Sequence, residues 1–244
     1  MDYNLVIDQG NSRAKVAIFN EVSLVKAWQF ESLTPQLLLD TVADFNISAA
    51  IYCSVALQGQ EIVVTLRDIA RHVYELTSLL PLPVTVGYAT PSTLGRDRVA
   101  AVVGALSLFP DTEVLVVDAG TAITYDRLTA ARNFIGGNIA PGLWMRASAL
   151  HSMTSRLPEV DVESPGKVEE WGTTTEGAIR AGVVRGVAGE ITYYRSLLPE
   201  GAQTILTGGD APFISQFINP LNLTVEPLLV CIGLNSILLY NESR

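Results

Sequence analysis

Apolar residues in this chain fall into short continuous runs separated by polar, glycine-bearing or proline-bearing turns. Runs at residues 3–8, 14–19 and 24–30 predict three strands at the start of the chain. Thr34 and Pro35 then supply an N-cap and a first-turn proline for a helix over 36–45. A strand at 49–55, a helix at 61–73, weaker strands at 74–76 and 84–88 and a helix at 95–109 complete the first half. Pro110 and Asp111 mark a boundary, after which strands at 114–118, 121–128 and 132–135 repeat the opening pattern. Helices follow at 143–153 and 175–198, then a strand at 204–207 and a helix at 229–240. In the long helix, Ile179, Val183, Val187, Ile191, Tyr194 and Leu198 recur at helical spacing and form one buried stripe. Its small residues (Ala181, Gly182, Gly186, Ala188, Gly189) permit close approach of another element.

The two halves begin alike. One apolar run ends in Asp8-Gln9-Gly10-Asn11-Ser12, the other in Asp118-Ala119-Gly120-Thr121, and each leads into a second strand. A single Asp-x-Gly is an ordinary hairpin turn, because glycine permits a tight reversal. The same context occurring twice points to duplicated domains, residues 1–110 and 111–244, facing one cleft. An Asp at each turn would then hold a cation–phosphate assembly. Three strands, helix, strand, helix in each half resembles the duplicated α/β architecture of actin, hexokinase and acetate kinase. That architecture is a pair of ribonuclease H-like domains, each a mixed β-sheet flanked by helices.

Composition narrows the function. A chain of 244 residues with 48% hydrophobic and 17% charged residues can bury a substantial core. No apolar stretch approaches the roughly 20 residues of a membrane span, and Asp2 stands where an export signal would be basic, so a cytoplasmic protein is expected. The net charge of −9, with no Lys/Arg cluster, argues against nucleic acid or an anionic membrane as partner. Cys53 and Cys231 both lie in apolar runs and read as buried free thiols. His72 and His151 have no ligand-spaced neighbour, which leaves no basis for a zinc site.

The candidate chemistry lies at the turns. Residues Asp8 to Lys15 carry an amide, a hydroxyl and an ammonium (Asn11, Ser12, Lys15) suited to phosphate oxygens, while Asp8 suits Mg²⁺ or a water of its shell. The second turn contains no base; Asp118 and its neighbouring hydroxyls are hard oxygen ligands that suit a cation. Gly136-Gly137-Asn138-Ile139-Ala140-Pro141-Gly142 and Thr207-Gly208-Gly209-Asp210-Ala211 are each expected between a strand and a helix, where converging N–H groups favour anions. Neither matches the P-loop, and the Rossmann fingerprint is missing. At the start of the helix at 95–109, Asp97 lies between Arg96 and Arg98. The plain reading is a charged first turn. The functional one has Asp97 orient a substrate hydroxyl and accept its proton while Arg98 binds an anionic part of the acceptor.

Taken in order, these segments resemble the type III pantothenate kinase family over essentially the whole chain. The motifs are Asp8-x-Gly10-Asn11-Ser12 with Lys15; Leu94-Gly95-x-Asp97-Arg98; Asp118-x-Gly120-Thr121-Ala122-x-Thr124-x-Asp126; Gly136-Gly137-x-Ile139-x-Pro141-Gly142; Thr175; and Leu206-Thr207-Gly208-Gly209-Asp210-Ala211. The resemblance implies transfer of the ATP γ-phosphate to the primary hydroxyl of pantothenate, the first step toward coenzyme A. It implies an ATP-phosphate segment of Asp8, Gln9, Gly10, Asn11, Ser12, Arg13, Ala14 and Lys15, with Thr121 a further ATP contact. It also implies Asp97 as catalytic base and pantothenate contacts at Tyr88, Gly95, Arg96, Asp97, Arg98 and Thr175. Asp118 would be a ligand of a monovalent cation (K⁺ or NH₄⁺), beside ATP with Mg²⁺, in a cytoplasmic homodimer. Gln9 departs from a usual aliphatic residue, Ser12 from a common Thr, and Thr174 from a frequent Asn, which leaves both Thr174 and Thr175 open as the pantothenate contact. The competing readings are a kinase of this architecture with another small acceptor, and a non-catalytic regulatory relative.

Overall fold

The computed structural model describes residues 2–10, 13–54, 60–164 and 166–244. Eleven strands and seven α-helices follow one another among these residues. The first part runs β1 (Tyr3–Gln9), β2 (Ala14–Asn20), β3 (Ser23–Phe30), α1 (Pro35–Val42), β4 (Ile47–Ser54), α2 (Gln60–Ile69), β5 (His72–Glu75), β6 (Thr85–Val86) and α3 (Arg96–Leu108). Then come β7 (Val114–Ala119), β8 (Ala122–Leu128), β9 (Asn133–Pro141), α4 (Leu143–Ser152), α5 (Thr175–Ser196), β10 (Gln203–Thr207), α6 (Ala211–Ile214), β11 (Leu223–Val225) and α7 (Leu229–Glu242). The chain divides into two compact units. The first comprises residues 1–110, 132–134 and 228–244, and the second residues 111–131 and 135–227.

The first unit is built on a sheet of order β3-β2-β1-β4-β5, with β1 antiparallel to β2 and parallel to β4. Alternation along the strands sends Leu5, Ile7, Val16, Ile18, Ala50 and Tyr52 to one face, where they pack with Leu38 and Val42 of α1 and Ile62 and Leu66 of α2. Thr34 caps α1 by accepting the Leu37 amide at 3.2 Å, and Pro35 opens the helix. Helices α3 and α7 cover the other face. They meet at glycines: a methyl on Gly233 would stand 1.8 Å from the Ala100 carbonyl oxygen, and one on Gly104 would stand 2.3 Å from that of Leu229. Within this packing the buried Asn4 amide donates to Asn235 Oδ1 at 3.1 Å, and Asn235 Nδ2 donates to the Glu21 carbonyl at 2.8 Å. The final helix thus belongs to the first unit, although it follows the second half in sequence.

The second unit repeats the plan with strand order β11-β10-β7-β8-β9; β7 is antiparallel to β8 and parallel to β10. Val117, Ala119, Ile123, Tyr125 and Leu206 face α5, whose Ile179, Val183, Val187 and Ile191 are buried as the periodicity predicts. Tyr194 and Leu198 are packed at the margin of this core.

Two expectations change. Residues 136–141 form the latter part of β9 rather than a loop before a helix. Gly137 is needed there because a side chain would come 2.0 Å from the Tyr125 carbonyl oxygen; only Gly142 stands at a helix start. Residues 72 and 73, expected to end a helix, instead join 74 and 75 in a strand that pairs parallel to β4 with Ala49 opposite His72. The helical spacing of Leu66, Ile69 and Val73 is overridden by that pairing.

Candidate active site

In the first unit the β1–β2 hairpin presents Asp8 opposite Lys15 and next to Cys53 of β4. All three lie on the face covered by α3 and α7, since their neighbours Ile7, Val16 and Tyr52 point to the opposite core. The Gly10 amide donates to the Arg13 carbonyl at 3.0 Å and closes the turn. Gln9 accepts the Tyr52 hydroxyl at 2.7 Å, Ala14 is buried and Arg13 is exposed. Asn11 and Ser12, both expected phosphate contacts, lie outside the described residues.

Helix α3 brings Asp97 to the same neighbourhood. The Cys53 thiol is pushed well above its ordinary value, first by burial and then by the carboxylates of Asp8 and Asp97, with Arg96 opposing. Two of the predicted acids therefore act on one buried sulfur. The cap residue is Gly95, where a side chain would stand 2.5 Å from Asp97 Oδ1; the carboxylate folds back over the helix start and accepts the Arg98 amide at 2.9 Å. Arg98 is buried, with its guanidinium 5.7 Å from the centre of the half-buried Tyr88 ring. Tyr88, Gly95, Arg96, Asp97 and Arg98 are thus gathered at one helix N-terminus.

The second unit carries the other predicted residues. Asp118 is the penultimate residue of β7, with Thr124 of β8 and Thr207 of β10 in register on either side. These three share the face away from α5, because Val117, Ile123 and Leu206 fill the other. Gly208, at φ 91°, carries Asp118 over it: a side chain there would stand 2.5 Å from Asp118 Oδ1 and 2.2 Å from the Ala119 carbonyl oxygen. The Asp210 amide donates to that carbonyl at 3.0 Å. Asp210 is pushed up to about 6 by burial first, then by the Glu163 and Asp118 carboxylates. Thr207 is 1% exposed and its hydroxyl has no hydrogen-bond partner. A carboxylate flanked by threonines, one with an unmet hydroxyl, is an oxygen donor set that fits a hard cation.

Thr121 is exposed, and its carbonyl accepts the Gly142 amide at 3.0 Å. The turn it belongs to is held from behind by residues that sequence patterns did not single out. Arg146 donates through Nε to the Pro141 carbonyl at 2.7 Å and grips both oxygens of Glu190 at 2.7 Å each. Tyr125 donates to the same carboxylate at 2.7 Å. An arginine one turn after Gly142 was a local signal, but its partner on α5 had none. Thr174 caps α5 by accepting the Gly177 amide at 3.0 Å, and Thr175 is exposed on the first turn.

A family model described as type III pantothenate kinase matches residues 4–196. A type III pantothenate kinase of Porphyromonas gingivalis W83 is 45% identical over 246 residues, covering 99% of this chain and 100% of the relative. One from Bacteroides fragilis is 41% identical over 245 residues, covering 99% of both. Among solved structures, the activator of the 2-hydroxyisocaproyl-CoA dehydratase from Clostridium difficile superimposes with a TM-score of 0.56 at 13% identity, covering 99% of this chain and 96% of that one. That likeness shows the fold, which is the actin-like ATPase fold of paired mixed sheets flanked by helices. By its family model and its full-length relatives, the chain belongs to the type III pantothenate kinase family.

Proposed function

We infer that Asp97 orients the primary hydroxyl of pantothenate and accepts its proton as the γ-phosphoryl group of ATP is transferred. The chain is a pantothenate kinase, and its product is 4'-phosphopantothenate, the first intermediate toward coenzyme A. The observation that supports the residue assignment is the placement of Asp8 beside Cys53 on the sheet face that α3 covers, with the Tyr88–Arg98 pair next to Asp97. Asp8 and Lys15, facing across their hairpin, present a carboxylate for the nucleotide's Mg²⁺ and an ammonium for the phosphate charge. When bound with ATP, Mg²⁺ held at Asp8 would supply neutralisation of the phosphate charge.

Transfer forms the bond between the hydroxyl oxygen and Pγ, breaks the bond from Pγ to the bridging oxygen, and leaves the proton on Asp97 and ADP as the second product. In a loose transition state that proton moves late, so a carboxylate is a sufficient base and positioning supplies most of the acceleration. Arg98, held against Tyr88, binds the pantothenate carboxylate, with Gly95, Arg96 and Thr175 as further acceptor contacts. In the second unit Thr121, Gly208 and Gly209 serve the nucleotide, and Asp118 takes K⁺ or NH₄⁺.

Asp97→Asn tests the assignment, because an asparagine oxygen can still accept the Arg98 amide and keep the helix start intact. Turnover should fall about 100- to 10,000-fold with an unchanged circular dichroism spectrum. Near-parent turnover would remove Asp97 from the role of base.

We further propose that two copies associate through the second unit. Trp144 (68% exposed), Met153 and Ile139 are exposed there, and the Gly182 and Gly189 positions on α5 are open. Light scattering showing a monomer at micromolar concentration would contradict this. The described residues contain no helix long and apolar enough to cross a membrane, and we propose a cytoplasmic location.

A further inference from the structure

We propose that the Thr207 hydroxyl is a ligand of the monovalent cation at Asp118, a role that rests on the cation reading of Asp118. Three observations meet at this position. Thr207 is 1% exposed and its Oγ1 is a buried side-chain oxygen without a partner. A buried hydroxyl left without a partner is unfavourable, so such a group is retained where something else completes it. The strand register sets Thr207 next to Asp118, and both project from the same face of the sheet. Gly208 then closes the distance: at φ 91°, with the Asp118 carboxylate oxygen where a side chain would be, it lets β10 bring its last hydroxyl up against the acid.

The donor chemistry selects the class of ion. Asp118 brings one carboxylate, while Thr124 and Thr207, its register neighbours, bring neutral hydroxyls. Among the described residues no group of three or more His, Cys, Asp or Glu side chains could hold a metal ion. Asp118 with the neutral hydroxyls beside it is a hard oxygen donor set that suits K⁺ or NH₄⁺. Divalent ions instead draw on several carboxylates or on substrate phosphates.

The test measures cation binding without turnover. Thermal unfolding is followed against KCl at constant ionic strength, with choline chloride as the cation-free reference, for the parent, Thr207→Val, Thr207→Ser and Asp118→Asn. The parent should be stabilised by K⁺, and Asp118→Asn should lose that response. Thr207→Val should need about 10- to 100-fold more K⁺ while unfolding in choline at the parent temperature or above it, since the valine removes an unmet hydroxyl. Thr207→Ser should keep the response. A parent-like K⁺ response in Thr207→Val, with Asp118→Asn silent, would overturn the role of Thr207 and leave the cation at Asp118 standing. Unfolding of Thr207→Val well below the parent in choline would also overturn it, by showing that the hydroxyl has a protein partner. A parent indifferent to K⁺ would remove the cation reading and this inference together.

Discussion

Replacing Gly233 by alanine probes how closely the helix that carries Asp97 is held. A methyl at this position would lie 1.8 Å from the Ala100 carbonyl oxygen and 2.7 Å from the Gly104 nitrogen, both backbone atoms of α3 that no rotamer change can move. Carbon–oxygen contacts of this kind sit at about 3.3 Å, so α7 must retreat from α3 by about 1.5 Å. A gap of even about 0.5–1 Å forfeits a quarter to a half of each dispersion contact, and overpacking costs about 1–3 kcal/mol or more. Alanine returns about 1 kcal/mol of helix propensity. The net loss is about 2 kcal/mol, read as a lower midpoint in urea unfolding followed by circular dichroism. There is a second readout. Asp97 lies one turn before Ala100, and a displacement of about 1 Å at a reacting group can cost about 100-fold in rate. The folded variant should therefore turn over about 100-fold more slowly. A variant as stable as the parent would refute the packing argument; one that is less stable but fully active would show that α3 does not hold Asp97 in register.

Two further outcomes follow from the polar network of each unit. Asn235→Ala leaves the buried Asn4 amide and the Glu21 carbonyl without their partner, and should lower stability by about 1–3 kcal/mol in the same denaturation assay. An unchanged midpoint would mean that water replaces the side chain. Burial pushes the Glu190 carboxyl up, but hydrogen bonds from Arg146 and Tyr125 outweigh it and hold the group below its ordinary 4.5. A depressed carboxyl contributes stability above that value and loses it as pH falls through the lowered one. Glu190→Gln should thus cost about 1–2 kcal/mol at pH 7, discounted for the carboxylate's partial exposure, and the difference should shrink as the pH is taken progressively below 4.5. A gap that persists unchanged into acid would contradict the ion-pair account.

Much of the fold was legible because local rules and tertiary packing agree. Both hairpins, the proline-led start of α1 and the buried stripe of α5 follow directly from run length, capping and helical spacing. Disagreement arises where a distant partner decides. Val73 keeps the helical spacing of α2, yet it pairs with Ala50 in a strand. The glycines at 136 and 137 look like a loop; they are strand residues of β9, and at 137 the neighbouring Tyr125 and Asp126 leave room for glycine alone. Nothing local assigns α7 to the first unit, since the fit of Gly233 against Ala100 exists only after folding. The site divides in the same way. Asp8, Lys15, Asp97, Arg98 and Asp118 were visible as charged residues at turns and a helix start. Thr207 and the Arg146–Glu190 clamp depend on register and long-range contact, which a linear pattern does not carry.

The measurement that bears most directly on the central claim is product identification by mass spectrometry after the purified protein is incubated with ATP, Mg²⁺, K⁺ and pantothenate. The parent should convert pantothenate to its monophosphate with one ADP per product, and Asp97→Asn should leave both substrates essentially unconsumed over the same period. Release of ADP at the same rate with and without pantothenate, and no phosphorylated pantothenate, would contradict the account.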